Sequence, residues 1–478
     1  MNIALAGFVG AALPEIVVGT GICVVLLAGL FSGKRFREMP YLLAMATLLA
    51  AAAAVETTAW GESPRTPGGA FLMDPVARVL KLFALAVVGV VFVYARSFLQ
   101  ARRLPQSDFY LLGLFALLGI MVMASAASFL TMYLGLETLA LALYAMVASE
   151  RDAPLGAEAA MKYFVLGAIG SGCFLYGVAL VYAATGAIGF TEVAATLGAS
   201  GGGFGVLAGL AFILVGVTFK FGAVPFHMWL PDVYQGAPAS ATLFVATAPK
   251  IGAFALALRV LVEALGGLAA DWQNMLAVIA VLSLALGNLV AIVQTNFKRM
   301  LAYSTIAHVG FILLGLMAGG DGGVEAALYY TIIYIIMTAA AFGIVILLTN
   351  DGLEASELDD LRGLNRRSPW FAAMMLLVMI SMIGVPPLVG FYAKWWVLSA
   401  LLEGGHVWLA LAGVFFSVIG AFYYLRVIWL MYFEEGTSKA PLQSAFDLRV
   451  LLSVNGLVVL ALGVFPGALM DLCARAIG

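Results

Sequence analysis

Apolar stretches of about 20 residues recur along the whole length of this sequence, and such lengths match the thickness of a lipid bilayer. Of its 478 residues, 64% are apolar and only 10% are charged. Soluble domains carry about 25% charged residues, so this chain cannot cover itself with a surface that water solvates. The sequence therefore predicts an all-α polytopic membrane protein with no soluble domain between its spans.

The charge balance and the cysteines exclude several classes of protein. The net charge of −2 leaves no basic face for nucleic acid. Cys23, Cys173 and Cys473 are scattered without C-x-x-C spacing and are interpreted as small buried hydrophobic residues. They cannot build an iron–sulfur, haem or zinc site, so any redox chemistry has to take place on other chains. The first lysine, Lys34, follows the first apolar run, which is therefore predicted to be a retained span and not a cleaved signal peptide.

Hydropathy and turn residues divide the chain into fourteen predicted spans. Their limits are 11–31, 40–56, 74–95, 108–126, 128–148, 157–184, 204–224, 239–262, 272–294, 299–318, 323–349, 369–401, 406–433 and 450–471. Only Ala126-Ala127-Ser128 is available as a turn between spans four and five. The twelfth span is longer than one straight helix needs, which is consistent with an interruption at Pro386-Pro387.

The basic residues are concentrated in every second connection between the predicted spans. Twelve lie in the odd-numbered connections: Lys34, Arg35, Arg37, Arg102, Arg103, Arg151, Lys298, Arg299, Arg362, Arg366, Arg367 and Lys439. The even-numbered connections and the C-terminal tail hold Arg65 and Arg475. Arg259, near the end of the eighth span, can be counted either with that span or with the even-numbered connection that follows it. Because basic residues accumulate on the cytoplasmic side, both termini are predicted to face away from the cytoplasm.

Two spans are broken by proline, and they lie five spans apart. Pro225 falls in span seven and Pro386 in span twelve, and each has a lysine nearby in the same segment. Since five is an odd number, a five-span repeat would be inverted in the membrane, as in transporters whose broken helices meet at the middle of the bilayer. This spacing favours an inverted repeat.

Charged residues inside the apolar spans are the first candidates for a functional site. Lys220 precedes the break at Pro225, Lys250 directly follows Pro249, and Lys394 follows Pro386-Pro387. A charge at bilayer depth costs at least about 2.5–3.5 kcal/mol, so such residues usually lie on an ion path. Glu137 lies near the middle of span five. The alternative for the lysines is a structural ion pair.

Three further residues are weaker candidates. Lys162 lies about one turn inside span six, where it either takes part in transport or extends to the membrane surface in a pair with Glu158. His227 either relays protons or hydrogen-bonds carbonyls freed at the break. His308 is either a relay group or a packed histidine. Lys298 is interpreted as an anchor on the cytoplasmic side, and the acidic run 354–360 as a solvated cytoplasmic loop. The pair Tyr423-Tyr424 is interpreted as interfacial or packing groups.

This chemistry suits protons better than larger solutes. Burial disfavours the charged ammonium of a lysine, and a nearby carboxylate such as Glu137 favours it again. A lysine whose acidic partner moves away can release a proton and reload when the partner returns. The breaks at Pro225 and Pro386 free backbone carbonyls and admit water, which a proton wire requires.

Three long motifs carry a resemblance to a known family. They are FKFGAVPFHMWLPDVYQGAP at 219–238, KRMLAYSTIAHVGF at 298–311 and GVPPLVGFYAKW at 384–395. They resemble the broken seventh helix, the start of the tenth helix and the broken twelfth helix of the antiporter-like subunits of respiratory complex I. The likeness covers essentially the whole chain. Within the family, one subunit is expected to carry Glu at the position of Lys394, so the chain is expected to differ from that subunit. Another subunit is marked by a long lateral helix after the last span, which this sequence does not show.

The resemblance implies a role for each candidate. Glu137 resembles the fifth-helix Glu that modulates the seventh-helix lysine, Lys220. Lys250 resembles the connecting lysine, Lys394 the exit-side lysine, and Lys162 a sixth-helix basic residue of less settled role. It also implies two inverted five-helix units, spans 4–8 and 9–13. The expected domains are three N-terminal helices at 1–107, the repeats at 108–264 and 265–434, and a last helix at 435–478.

The resulting functional hypothesis is a proton-translocating subunit of NADH:quinone oxidoreductase in a bacterial inner membrane. FMN and iron–sulfur clusters are expected on partner subunits, and this chain is expected to hold no cofactor or metal. Other membrane subunits, antiporter-like ones included, and phospholipids are the expected partners. The alternatives are a subunit of a multi-component Na⁺/H⁺ antiporter, a hydrogenase-type relative of complex I, and a structural scaffold in which the buried lysines tolerate neutral replacement.

Overall fold

A computed structural model describes residues 2–31, 38–58, 60, 62–66, 68–150, 152–200, 203–349, 354–436 and 445–478. The regular structure of these residues is helical. The α-helices are α1 Asn2–Phe31, α2 Met39–Val55, α3 Pro75–Ala101, α4 Gln106–Ala124, α5 Phe129–Val147, α6 Pro154–Thr185, α7 Phe190–Ser200, α8 Phe204–Phe221, α9 Trp229–Gly236, α10 Ala239–Ala246, α11 Ala248–Ala257, α12 Ala269–Ile292, α13 Phe297–Ala318, α14 Gly320–Leu348, α15 Leu364–Arg367, α16 Pro369–Ile383, α17 Val389–Glu403, α18 Val407–Phe433, α19 Phe446–Val464 and α20 Gly467–Ile477. A π-helical segment, Leu258–Ala264, continues α11.

The membrane-protein prediction is confirmed. Within the described residues, 12 helical segments are long and apolar enough to cross a membrane. Each of the fourteen predicted spans coincides with a helical segment, and the two beyond those 12 correspond to the shorter apolar helix α2 and to the interrupted pair α16 and α17. The turn between spans four and five is also present, where the Ser128 hydroxyl accepts a hydrogen bond from the Thr131 amide at 3.2 Å.

Some sequence-based boundaries were wrong. The last span ends at Val464 and not at 471, because Pro466 lacks the N–H that would continue the helix, and α20 follows as a separate helix. Helix α7, between predicted spans six and seven, was not predicted. Five of the basic residues used to orient the chain lie outside the described residues: Lys34, Arg35, Arg37, Arg151 and Lys439.

Both proline breaks occur where the sequence places them. Helix α8 ends at Phe221, Gly222 takes the left-handed conformation with φ 76°, and the chain becomes helical again at Trp229. Helix α16 ends at Ile383, Gly384 takes φ 92°, and α17 begins at Val389. Only glycine adopts this conformation without a steric cost from Cβ.

The eighth span contains a third break that the sequence analysis missed. The prediction was one helix over 239–262, but Thr247 has φ −115° and ψ −86° and separates α10 from α11. The cause is Pro249, which donates no hydrogen bond and whose ring clashes with the carbonyl four residues earlier. Lys250 therefore lies in the first turn of a new helix.

Glycines bring α6 and α8 into close contact. A Cβ atom on Gly177 would lie 2.6 Å from the Gly209 carbonyl oxygen, and one on Gly209 would lie 2.9 Å from the Gly177 oxygen. Small residues permit such backbone contact between membrane helices. This contact positions α8, the helix that carries Lys220.

We predict that Gly177→Leu destabilises the protein, because the new side chain must push α8 away from α6. Overpacking of this kind costs about 1–3 kcal/mol. Thermal unfolding of the detergent-solubilised protein would measure the loss. Gly172→Leu on the same helix is the control, since a Cβ there meets nothing within 4 Å. Equal melting temperatures for the two variants would contradict the prediction.

Candidate functional site

Lys250 occupies the first helix break. Its side chain is buried, with 1% exposed, and its Nζ donates a hydrogen bond of 2.8 Å to the carbonyl oxygen of Phe221, the last residue of α8. The nearby Trp229 indole donates to the Phe219 carbonyl at 3.1 Å. The carbonyls at the end of a helix have no partner within that helix. Lys250 thus supplies a hydrogen-bond donor for the Phe221 carbonyl, which the break leaves without a partner in its own helix.

Lys220 lies in the last turn of α8 and shares a cavity with Lys250. The cavity has a volume of about 20 Å³, which is room for about one water molecule, and its other walls are mostly apolar side chains, Leu139, Leu143 and Trp229 among them. Within the described part of the chain, the Lys220 ammonium forms no hydrogen bond or ion pair. A single water molecule in this cavity would be placed to connect the two lysines.

Glu137 projects from α5 towards this region. Its Oε1 is buried without a hydrogen-bond partner among the described residues. It forms no ion pair there, yet it is near enough to interact electrostatically with Lys220. The predicted partners Glu137 and Lys220 are therefore coupled through space and not by direct contact.

Lys394 occupies the second break in a similar way. Its Nζ donates to the Ile383 carbonyl, at the end of α16, and to the Ser417 hydroxyl, both at 2.7 Å. The Phe311 ring lies 5.3 Å from the ammonium, within the range of a cation–π contact. At each break, a lysine thus caps the last carbonyl of the helix before the break. At the first break this lysine, Lys250, comes from the next span, and at the second break Lys394 comes from the second half of the same span.

His308, on α13, lies between the hydroxyls of Tyr330 on α14 and Tyr424 on α18. Its Nδ1 is 2.7 Å from the Tyr330 hydroxyl and its Nε2 is 3.0 Å from that of Tyr424, which also lies 2.5 Å from Ser304 Oγ. One imidazole nitrogen donates while the other accepts, so a proton that enters on one side can leave on the other. A cavity of about 10 Å³ joins His308 and Lys394.

Lys162 and His227 lie apart from these contacts. The predicted pair of Lys162 with Glu158 is present at 2.8 Å, and a second pair with Asp232 at 2.7 Å was not predicted. Asp232 also binds Arg299 at 2.7 Å. His227 is half-buried in the first break, and its Nδ1 has no hydrogen-bond partner in the described part of the chain. Neither residue lines the two cavities described above.

Several buried polar groups were missed by the sequence analysis. Tyr424 was assigned to packing but binds His308, and it could have been recognised only from its position in the fold. Lys81 has no exposed side chain and pairs with Glu15 at 2.7 Å, although the rule applied to the other lysines would have selected it within predicted span three. The run 354–360 was interpreted as a solvated loop, but only 11% of the Glu354 side chain is exposed, in a pair with Lys298.

No set of three or more metal-binding side chains is grouped within the described ranges. The two breaks bring together the lysine ammonium groups, the Glu137 carboxylate, the His308 imidazole and several hydroxyls. Such groups can hold and exchange protons.

Comparisons with known proteins identify the family to which the chain belongs. Residues 126–420 match the family described as NADH:quinone oxidoreductase/Mrp antiporter, TM. The chain is 52% identical to NADH-quinone oxidoreductase subunit N of Thioalkalivibrio sulfidiphilus (strain HL-EbGR7), over 97% of both chains. It is similar in structure to a chain of respiratory complex I from Thermus thermophilus, with a TM-score of 0.83, 33% identity and coverage of 96% of this chain and 99% of that one.

The fold is shared more widely. A chain of the Mrp complex from Dietzia sp. DQ12-45-1b superposes with a TM-score of 0.84 over 100% of this chain and 97% of that one, at 20% identity. That likeness concerns the fold alone. The far higher identity lies with subunit N, as expected from Lys394 at the second break. The chain therefore belongs to the subunit N family of NADH-quinone oxidoreductase, among the antiporter-like membrane subunits of complex I.

Proposed function

We propose that this chain is a proton-translocating membrane subunit of a bacterial NADH-quinone oxidoreductase and works in the cell inner membrane. The observation that carries the proposal is the pair of lysines, Lys250 and Lys394, bonded to carbonyls at two helix breaks. An ammonium in such a position can exchange its proton with water that the break admits. Other membrane subunits of the complex are its partners.

The proton path runs from Lys220 through one water to Lys250, and then towards Lys394. The shared cavity supports the first step. His308 lies next to Lys394 and holds hydroxyls on both ring nitrogens, which supports a role as the link into the last lysine. Lys162 is proposed to act at the entrance, where Asp232 joins it to Arg299, and His227 is proposed to relay protons at the first break.

Glu137 sets the proton affinity of Lys220. Because the Glu137 carboxylate forms no ion pair with the described residues, its charge acts on Lys220 across the protein interior. A change in the distance between α5 and α8 would load or unload the lysine. This is the step at which a signal from electron transfer would enter the chain.

The architecture proposed for this function is a pair of inverted five-helix units, spans 4–8 and 9–13, after three N-terminal helices. Similar breaks at Gly222 and Gly384, each capped by a lysine, support the repeat. The excess of basic residues in odd-numbered connections supports termini that face away from the cytoplasm. FMN and iron–sulfur clusters are proposed to lie on partner subunits; the scattered cysteines could not supply the thiolates that an iron–sulfur cluster requires.

A subunit of a multi-component Na⁺/H⁺ antiporter is the second candidate, because the description of the family that residues 126–420 match also names the Mrp antiporter. Purification of the chain in its native complex separates the two functions. Co-purified flavin and iron–sulfur subunits support the oxidoreductase, whereas sodium-dependent transport without redox partners supports the antiporter.

We predict that Lys220→Ala, Lys250→Ala and Lys394→Ala lower the number of protons pumped per electron, because each removes a group that holds the proton. Lys250→Arg should lower it as well, since a guanidinium keeps its charge but does not release its proton near neutral pH. The ratio would be measured in proteoliposomes with the intact complex. Arg366→Gln, with 68% of its side chain exposed, is the control. Wild-type ratios in all three alanine variants would contradict the proposed relay.

We predict that Glu137→Gln lowers proton pumping while the complex still assembles. The amide keeps the volume of the side chain but removes the charge that favours protonated Lys220. Glu137→Asp keeps the charge and should retain most of the pumping. A Glu137→Gln complex with the wild-type ratio of protons to electrons would show that Glu137 does not control Lys220.

A further inference from the structure

The eighth span is held at both ends by residues outside its own five-helix unit, through a hydrogen bond to Glu354 at its start and an ion pair with Asp74 at its end. It consists of α10, α11 and the π-helical segment, and it is almost entirely buried. It packs on α3 and α14 as well as on α4, α5 and α8. It also carries Lys250.

Glu354 holds the start of this span. Its Oε2 accepts a hydrogen bond of 3.1 Å from the amide of Ala239, the first residue of α10, where a negative charge is favourable. Its other oxygen pairs with Lys298, a buried residue that donates at 2.8 Å to the Ala237 carbonyl at the end of α9. A residue from the connection after α14 thus joins the end of the broken seventh span to the start of the eighth.

Arg259 holds the other end. Only 1% of its side chain is exposed, and its two terminal nitrogens each lie 2.7 Å from a different oxygen of Asp74, in a two-pronged ion pair. Its Nε and one terminal nitrogen donate to the Ala124 carbonyl at the end of α4, at 3.2 and 2.9 Å. Asp74 also accepts from the Ala77 amide at 2.8 Å and caps α3. Arg259 therefore joins the π-helical end of span eight to α3 and α4.

Between these two anchors the α-helix is interrupted at Thr247, next to Lys250, before the π-helical segment begins at Leu258. The Thr247 hydroxyl donates to the Leu243 carbonyl at 2.7 Å, and the Lys250 amide donates to the Thr247 carbonyl at 3.0 Å. A helix whose two ends are fixed bends most easily at such a proline break. In this span that place determines where the Lys250 ammonium points.

We propose that Glu354 and Arg259 are positioning residues for Lys250. They hold the two ends of span eight against the second repeat and the N-terminal helices, so that any rearrangement is confined to the Thr247 break and moves the Lys250 ammonium relative to the Phe221 carbonyl. The N-terminal helices, the first repeat and the second repeat are thereby joined through the span that carries Lys250. The effect on pumping rests on the proposed function of Lys250, whereas the effect on local structure does not.

The test uses the intact complex with Glu354→Gln or Arg259→Lys. Hydrogen exchange of the amides across 239–257 should become at least about tenfold faster in both variants, while the amides of α5 keep their wild-type rates. The ratio of protons to electrons should fall, while NADH:quinone turnover stays close to wild type. Asp359→Asn is the control in the same connection as Glu354, because 73% of its side chain is exposed.

A double variant separates positioning from general loss of structure. Adding Glu354→Gln to Lys250→Ala should lower the pumping ratio no further, because the anchor acts through the lysine. Glu354→Asp keeps the charge and should restore part of the ratio if the glutamine variant assembles poorly. Unchanged exchange across 239–257 would overturn the proposal, and so would faster exchange with a wild-type ratio. A wild-type ratio in Lys250→Ala alone would instead refute the proposed relay.

Discussion

The structure depends on how a membrane protein satisfies backbone groups where its helices are interrupted. No bulk water is present at bilayer depth, so an unpaired carbonyl costs several kcal/mol. A buried ammonium is similarly costly without a partner. Lys250 on Phe221 and Lys394 on Ile383 satisfy both requirements at once. Each broken helix is therefore tied to a group that can carry a proton.

This arrangement links the fold to its chemistry. A lysine that releases its proton weakens its bond to the carbonyl it caps, and the break then needs another donor, for which water is suitable. A proton transfer at either lysine would therefore also change the geometry of the break that it caps. The close contact of α6 with α8 at Gly177 and Gly209 fixes the position of the helix that leads into the first break.

Many residues of the candidate site could be identified from the sequence because charged residues and prolines are rare inside apolar spans. A charge or a proline inside an apolar span stands out against its neighbours, and so Glu137, Lys220, Lys250 and Lys394 were recognised as candidates. Hydroxyl partners do not stand out in this way. Tyr330 and Tyr424 are common residues in apolar helices, and their bonds to His308 join α13 to the next helix, α14, and to α18, where Tyr424 lies 116 residues further along the chain.

By itself, the sequence determined the membrane class, the approximate limits of the spans and the two proline breaks, because these follow from local composition and from the chemistry of proline. Tertiary structure decided which carbonyls Lys250 and Lys394 cap, whether Glu137 touches Lys220, and that Glu354 is largely buried although it belongs to an acidic run predicted to be a solvated loop. Those outcomes depend on contacts between separate segments of the chain, such as the hydrogen bond between Glu354 and Ala239, 115 residues apart. Local pattern contains no information on such distances, because burial and pairing are set by the packing of the whole bundle.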